Sequence, residues 1–208
     1  MIYEVRTYTV KPGTVEAFES RFAEALPTRE KYSKLAAFWH TEIGPLNQVI
    51  HVWPYQDLDE RNKMREAAAQ DPARAWPPRT GEFVVKQEAE VFIPAPFMRP
   101  LGSREFGTSN IYEMRTYTMQ PRSMPEVLRR WEEAITYREE YSPLVACWYS
   151  DLGALNRFVH VWVYKDLNER MRIREQSRKS GHWPPATREW LEVQETKIMI
   201  SAPFSPVR

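Results

Sequence analysis

Residues 2–9 read Ile2-Tyr3-Glu4-Val5-Arg6-Thr7-Tyr8-Thr9, and residues 111–118 read Ile111-Tyr112-Glu113-Met114-Arg115-Thr116-Tyr117-Thr118. The offset of 109 holds without a gap to Glu66 and Glu175, with roughly 30 identities. Beyond that it becomes 107, where Trp76-Pro77-Pro78 matches Trp183-Pro184-Pro185 and Ala95-Pro96-Phe97 matches Ala202-Pro203-Phe204. The lost two residues mark a loop before the Trp-Pro-Pro stretch. Two copies of this length are too few for a solenoid, and each is large enough to be a small layered domain. The chain is therefore divided into residues 1–97, a linker over 98–110, and residues 111–208.

Within each copy the octapeptide begins a β-α-β-β-α-β pattern. Residues 2–10 are rich in Tyr, Thr and Val and read as a strand. Pro12-Gly13-Thr14 then offers a turn and an N-cap ahead of Val15, Phe18, Phe22, Ala25 and Leu26 at helical spacing. The second copy has Ser123 as cap, then Met124, Val127, Leu128, Trp131 and Ile135. Residues 36–42 and 48–55 flank Gly44-Pro45-Leu46-Asn47 and read as a hairpin, echoed around Gly153-Ala154-Leu155-Asn156. Asp57-Leu58-Asp59-Glu60 and Asp166-Leu167-Asn168-Glu169 have the form of capping boxes that start a second helix. Last strands are expected over about 82–93 and 189–200. Such a unit folds as a ferredoxin-like split βαβ sheet with both helices on one face. The bare face must be buried, and the second copy supplies its partner. The expected architecture is α+β: tandem repeats forming a dimeric-α/β-barrel-like pseudo-dimer.

Composition narrows the function classes. Among 208 residues, 29 Lys and Arg face 28 Asp and Glu, a net charge of +1 that carries no footprint for nucleic acid. No apolar run reaches the length of a membrane span. Met1-Ile2-Tyr3-Glu4 enters a strand pattern at once, without the basic and apolar regions of a secretory signal. Cys147 is the single cysteine, so an intrachain disulfide framework is excluded and a reducing cytoplasm is the expected location. No Walker loop, GxGxxG, HExxH, GxSxG, CxxC or CxxCH spacing occurs, so nucleotide-dependent chemistry, serine or zinc hydrolysis and covalent haem attachment lose support. No metal set and no cofactor are expected. Further pairing of two chains stays open.

At IYEVRTYTVKPG (2–13), TEIGPLNQVIHVWPYQDLDER (41–61) and IYEMRTYTMQP (111–121), the chain resembles the NIPSNAP family. The resemblance covers both copies and is stronger in the first, since Glu42-Ile43-Gly44-Pro45 becomes Asp151-Leu152-Gly153-Ala154. It implies a dimeric α/β barrel of ferredoxin-like domains. The wider superfamily includes cofactor-free monooxygenases, lactone isomerases and haem enzymes, and eukaryotic relatives are discussed as adaptor-like proteins. Fold alone does not choose among these.

Strand alternation sorts the candidate residues. Glu4, Arg6 and Tyr8 share one face of the first strand, and Val49, His51, Trp53 and Tyr55 one face of the third. Assigning the aliphatic Val5, Ile50 and Val52 to the helix side turns Glu4, Arg6, Tyr8, His51, Trp53 and Tyr55 into the barrel, with Glu113, Arg115, Tyr117, His160, Trp162 and Tyr164 from the second copy. There His51 and His160 are candidate general acids or bases, since imidazole titrates near neutrality. The remaining residues would bind a small hydrophobic or aromatic ligand, with chemistry of a cofactor-independent oxygenase or isomerase type. A structural Glu–Arg pair and packing tryptophans form the plainer reading. The alternatives are an interaction scaffold or a haem protein. Arg61, Arg65, Arg170 and Arg174 read as a solvated, ion-paired helix face, with an anion-binding rim as the other view. His40 and His182 lack counterparts, and Cys147 aligns with Phe38 as a core filler.

Overall fold

The computed structural model describes all residues, 1–208. The first half runs β1 (Ile2–Val10), α1 (Val15–Arg29), β2 (Ala37–Ile43), β3 (Gln48–Tyr55), α2 (Leu58–Ala69) and β4 (Val84–Pro94). The second repeats it as β5 (Ile111–Met119), α3 (Met124–Glu139), β6 (Leu144–Leu152), β7 (Arg157–Tyr164), α4 (Leu167–Lys179) and β8 (Leu191–Ser201). All eight strands close into one antiparallel barrel in the order β1-β3-β2-β8-β5-β7-β6-β4. Each half thus contributes a split four-stranded sheet, and the halves meet at two seams, β2 with β8 and β4 with β6. No helix is long and apolar enough to cross a membrane.

Local chemistry explains the element ends. Asp57 Oδ1 accepts from Glu60 N at 2.8 Å and Asp166 Oδ1 from Glu169 N at 2.7 Å, the expected caps of α2 and α4. Thr14 and Ser123 do not cap α1 and α3: their hydroxyls donate back to the Lys11 and Gln120 carbonyls, closing the preceding turn. Both hairpin turns use the left-handed region, with φ of 57° at Asn47 and 58° at Asn156. Gly44 (φ 108°) sits where a Cβ would lie 3.2 Å from the Thr196 carbonyl across the seam, so it is required twice over.

The barrel interior holds an apolar cluster drawn from both halves, including Tyr3, Val5, Trp39, Ile50, Val52 and Phe92 with Tyr112, Met114, Trp148, Val159, Val161 and Met199. Tyr3 stacks on Trp148 across the halves at 5.7 Å between ring centroids. The linker over 98–110 packs against this cluster through Met98, Leu101 and Phe106. Leu101 N donates to the Tyr3 hydroxyl and Phe106 N to the Arg208 carbonyl.

This placement corrects the sequence expectation for the strand faces. Val5, Ile50 and Val52 point into the barrel, whereas Glu4, Arg6, Tyr8, His51, Trp53 and Tyr55 point outward, under the helices; Glu113, Arg115, Tyr117, His160, Trp162 and Tyr164 do likewise. The physical reason is that both faces of these strands are buried. The face that carries Glu4 and Glu113 lies on the helix side, where Arg61 and Arg65 of α2 and Arg170 and Arg174 of α4 meet the two carboxylates.

Candidate functional site

Cross-strand pairing assembles the first site. In the β1–β3 ladder Glu4 lies opposite Trp53 and Arg6 opposite His51, so these four share the helix-side face. Helix α1 lays Phe22 against the His51 ring (5.1 Å between centroids) and Phe38 of β2 stacks on it at 5.8 Å, while Tyr8 meets it edge-on at 5.0 Å. Trp76, from the loop after α2, packs edge-on against both Phe22 and Trp53. Phe204, from the tail after β8, closes the cluster against Phe22 and Phe38. The matching segment after β4, around Ala95 and Phe97, packs into the second half's cluster. Each half is thus completed by a segment of the other.

Charge is concentrated at the same place. Glu4 is fully buried and its Oε1 accepts from Arg6 Nη1 at 2.8 Å and from Arg61 Nη2 at 2.6 Å; Arg65 stands 3.6 Å from Oε2. Burial alone would raise the Glu4 carboxyl, but the three guanidiniums outweigh it and hold it below its usual range. Arg6 Nε donates to the Tyr8 hydroxyl. Arg29, at the end of α1, is also buried; it donates to the Tyr55 hydroxyl at 2.8 Å and lies over the Trp53 ring at 4.7 Å. The expectation of a solvated helix face for Arg61, Arg65, Arg170 and Arg174 is corrected: these side chains turn inward to the buried carboxylates. The second half repeats the arrangement, with Glu113 held by Arg115 at 3.1 Å and Arg170 at 2.5 Å, and Arg138 donating to Tyr164 at 2.8 Å. Trp131 takes the place of Phe22, and Trp183 that of Trp76.

The histidines are the most constrained groups. Trp53 Nε1 donates to His51 Nδ1 at 2.7 Å, and Trp162 Nε1 to His160 Nδ1 at 2.6 Å. An indole N–H can only donate, so Nδ1 accepts and the ring proton sits on Nε2. Burial first, and then the surrounding arginines, push both imidazoles well below their ordinary pKa, so the rings are neutral. Both Nε2 atoms are buried without a partner in the chain. No group of His, Cys, Asp and Glu side chains is arranged to hold a metal ion.

The sequence profile of the NIPSNAP family matches residues 3–99 and 112–206. The chain belongs to the NIPSNAP family. Among NIPSNAP relatives, the NipSnap homolog 3B of Mus musculus is 29% identical over 219 residues, covering 99% of this chain and 85% of that protein. Among solved structures, a putative monooxygenase from Fusobacterium nucleatum superposes with a TM-score of 0.66 at 11% identity, covering 96% of this chain and 91% of its own. A putative monooxygenase from Lactobacillus acidophilus gives 0.62 at 8% identity, over 96% and 93%. At those identities the likeness shows the barrel fold alone.

Both NIPSNAP halves bring all of the sequence-derived candidates together, but on the outer face. The sequence reading missed Arg29 and Arg138, Trp76 and Trp183, and Phe22 and Trp131. Arg29 and Arg138 recur at the repeat offset, as does the Trp-Pro-Pro stretch, so the repeat itself held that signal. Of the weaker candidates, His40 pairs with Glu19 at 2.7 Å, His182 stacks on exposed Tyr137, and Cys147 is a buried filler whose thiol burial pushes well up. In the second half a cleft of about 270 Å³ under the linker has Phe106, Tyr141 and Tyr164 in its wall, and so abuts the Arg138 cluster.

Proposed function

We propose that each half of the barrel binds a small hydrophobic or aromatic molecule between its sheet and its helices, without a cofactor, and that His51 and His160 present a hydrogen-bond donor to it. The observation that carries this reading is the tryptophan-locked imidazole, neutral and with an unpartnered Nε2–H, repeated in both halves. A neutral imidazole held in this tautomer is a poor base at Nε2 but a good electrophile toward a carbonyl or enolate oxygen. Stabilising such an oxygen is common to isomerase and cofactor-independent oxygenase chemistry. Glu4 and Glu113, held ionised by arginines, are weak bases, so the role of each is to position the guanidiniums.

Saturation-transfer NMR with acetophenone, an aromatic carbonyl probe, tests this. Wild type should give ring-proton transfer, and the double variant His51→Phe, His160→Phe should lose it while keeping its circular dichroism. Equal transfer in both proteins would overturn the reading. A second reading, a protein-interaction scaffold, is favoured by the hairpin turns, where Ile43, Leu46, Leu152 and Leu155 are each 48–63% exposed. If that role is the true one, changing these four to serine abolishes capture of a partner that wild type retains.

A further inference from the structure

We infer that the molecule taken up at the sheet–helix site carries an oxyanion, a carboxylate or phosphate attached to an apolar or aromatic body, and that the arginine clusters are its receptor. This rests on the reading that the site takes a small molecule. Four guanidiniums, Arg6, Arg29, Arg61 and Arg65, surround the single carboxylate Glu4. In the second half Arg115, Arg138, Arg170 and Arg174 surround Glu113. Each half therefore gathers four guanidiniums around one carboxylate, in a chain whose total net charge is only +1. Uncompensated charge in a largely buried cluster is unfavourable unless something of opposite sign completes it.

The nearby carboxylates have their hydrogen-bond partners elsewhere. Glu30 accepts from Leu35 N, Glu60 from Gln56 N, and Asp71 is taken by Tyr32, Lys31 and Ala73 N. The Tyr8 and Tyr55 hydroxyls already accept from Arg6 and Arg29. Meanwhile each cluster holds more buried unpartnered donors than acceptors: Arg29 Nη1, Arg61 Nε and His51 Nε2 against Glu4 Oε2 in the first half, Arg170 Nε and His160 Nε2 against Glu113 Oε2 in the second. An oxyanion would accept from these donors and offset the excess of guanidiniums, and guanidinium N–H pairs match its geometry bidentately. The aromatic walls, Trp53, Trp76 and Phe22, suit the body of such a ligand. Arg65 and Arg174 stand at the solvent side of the clusters, their side chains 40% and 41% exposed.

The test compares benzoate with benzamide, its neutral isostere, and phenyl phosphate, by thermal shift and calorimetry on the full chain. Benzoate or phenyl phosphate should raise Tm and bind at two sites per chain, at least tenfold more tightly than benzamide and less tightly as salt rises. Whichever anion binds more tightly names the headgroup. Arg65→Gln with Arg174→Gln, at the exposed rim where folding is least at risk, should weaken anion binding at least fivefold, and lysine at both positions should restore part of it. Benzamide binding as tightly as benzoate would overturn the anionic class while leaving the small-molecule site standing. Anion binding unaltered by the double glutamine variant would also overturn it. If acetophenone, benzamide and both anions all fail to bind, the site reading and this inference fall together.

Discussion

His51 and His160 carry the clearest consequence at the scale of single residues. Their folded-state pKa values lie well below that of the unfolded chain, where His titrates near 6.5. Above that pH both states are neutral and the histidines contribute nothing to the pH dependence. Below it the unfolded chain takes up protons that the folded one refuses, so stability falls as pH falls, by about 1.4 kcal/mol per pH unit for each histidine. His40 acts in the opposite sense: Glu19 raises its pKa, so it contributes stability that is present at low pH and lost as pH rises. Below about 6.5 His40 is protonated in both states and adds no slope, so His51 and His160 together give a net loss of about 2.8 kcal/mol per unit in the window from about 6.5 down to 5, before the carboxylates titrate. Urea unfolding at half-unit pH steps should show that slope, and His40→Gln should lower stability across this window while leaving the slope unchanged. A flat profile would mean that the imidazoles are solvated and charged. At this scale the sequence was legible in identity and not in direction. Alternation sorts Glu4, Arg6 and Tyr8 from Val5 and Thr7, but with both faces buried neither set is marked as the outward one. The deciding signal lay elsewhere in the chain, in Arg61 and Arg65 one helical turn apart on α2, whose only buried acceptor is Glu4.

Among the elements, α2 and α4 link the repeat's sequence most directly to its site. Each begins at an aspartate cap, and its first two turns carry the arginines that reach Glu4 or Glu113. Asp57→Ala should cost about 1 kcal/mol, and because the two caps lie in different halves, Asp57→Ala with Asp166→Ala should cost about 2 kcal/mol. Asparagine at the same positions should retain most of that stability, since it still offers the oxygen. Guanidinium unfolding with an unchanged m value is the check, and a double alanine variant as stable as wild type would show that these caps are redundant. These starts could be read from the sequence because Asp with Glu three residues on is a local chemical pattern. The same reading failed for Thr14 and Ser123, where a hydroxyl has two acceptors within reach. In both turns the carbonyl three residues earlier takes the proton.

The whole molecule follows from the bare sheet face of a single repeat, which the sequence implied and the barrel covers. What the repeat could not convey is that the covering is reciprocal down to the tails: Phe204 completes the first half's cluster, as the Ala95–Phe97 segment completes the second's. A chain ending at residue 109 would lose β8, Phe204 and the Tyr112–Trp148 side of the interior, leaving Tyr3, Val5, Trp39, Ile50, Val52 and Phe92 exposed. A patch of that size does not stay in water. The cheapest cover is a second copy, because Tyr3, Trp39 and the Ala-Pro-Phe segment of this half match Tyr112, Trp148 and Ala202-Pro203-Phe204 of the other. In that dimer β2 of one copy would pair with β4 of the next at two identical seams, and Phe97 would sit where Phe204 does now. Sedimentation equilibrium of residues 1–109 should therefore report a dimer, and Phe97→Ala should shift it toward unfolded monomer. A folded, stable monomer would show that the interior face needs no partner, and that duplication is not what holds this barrel closed.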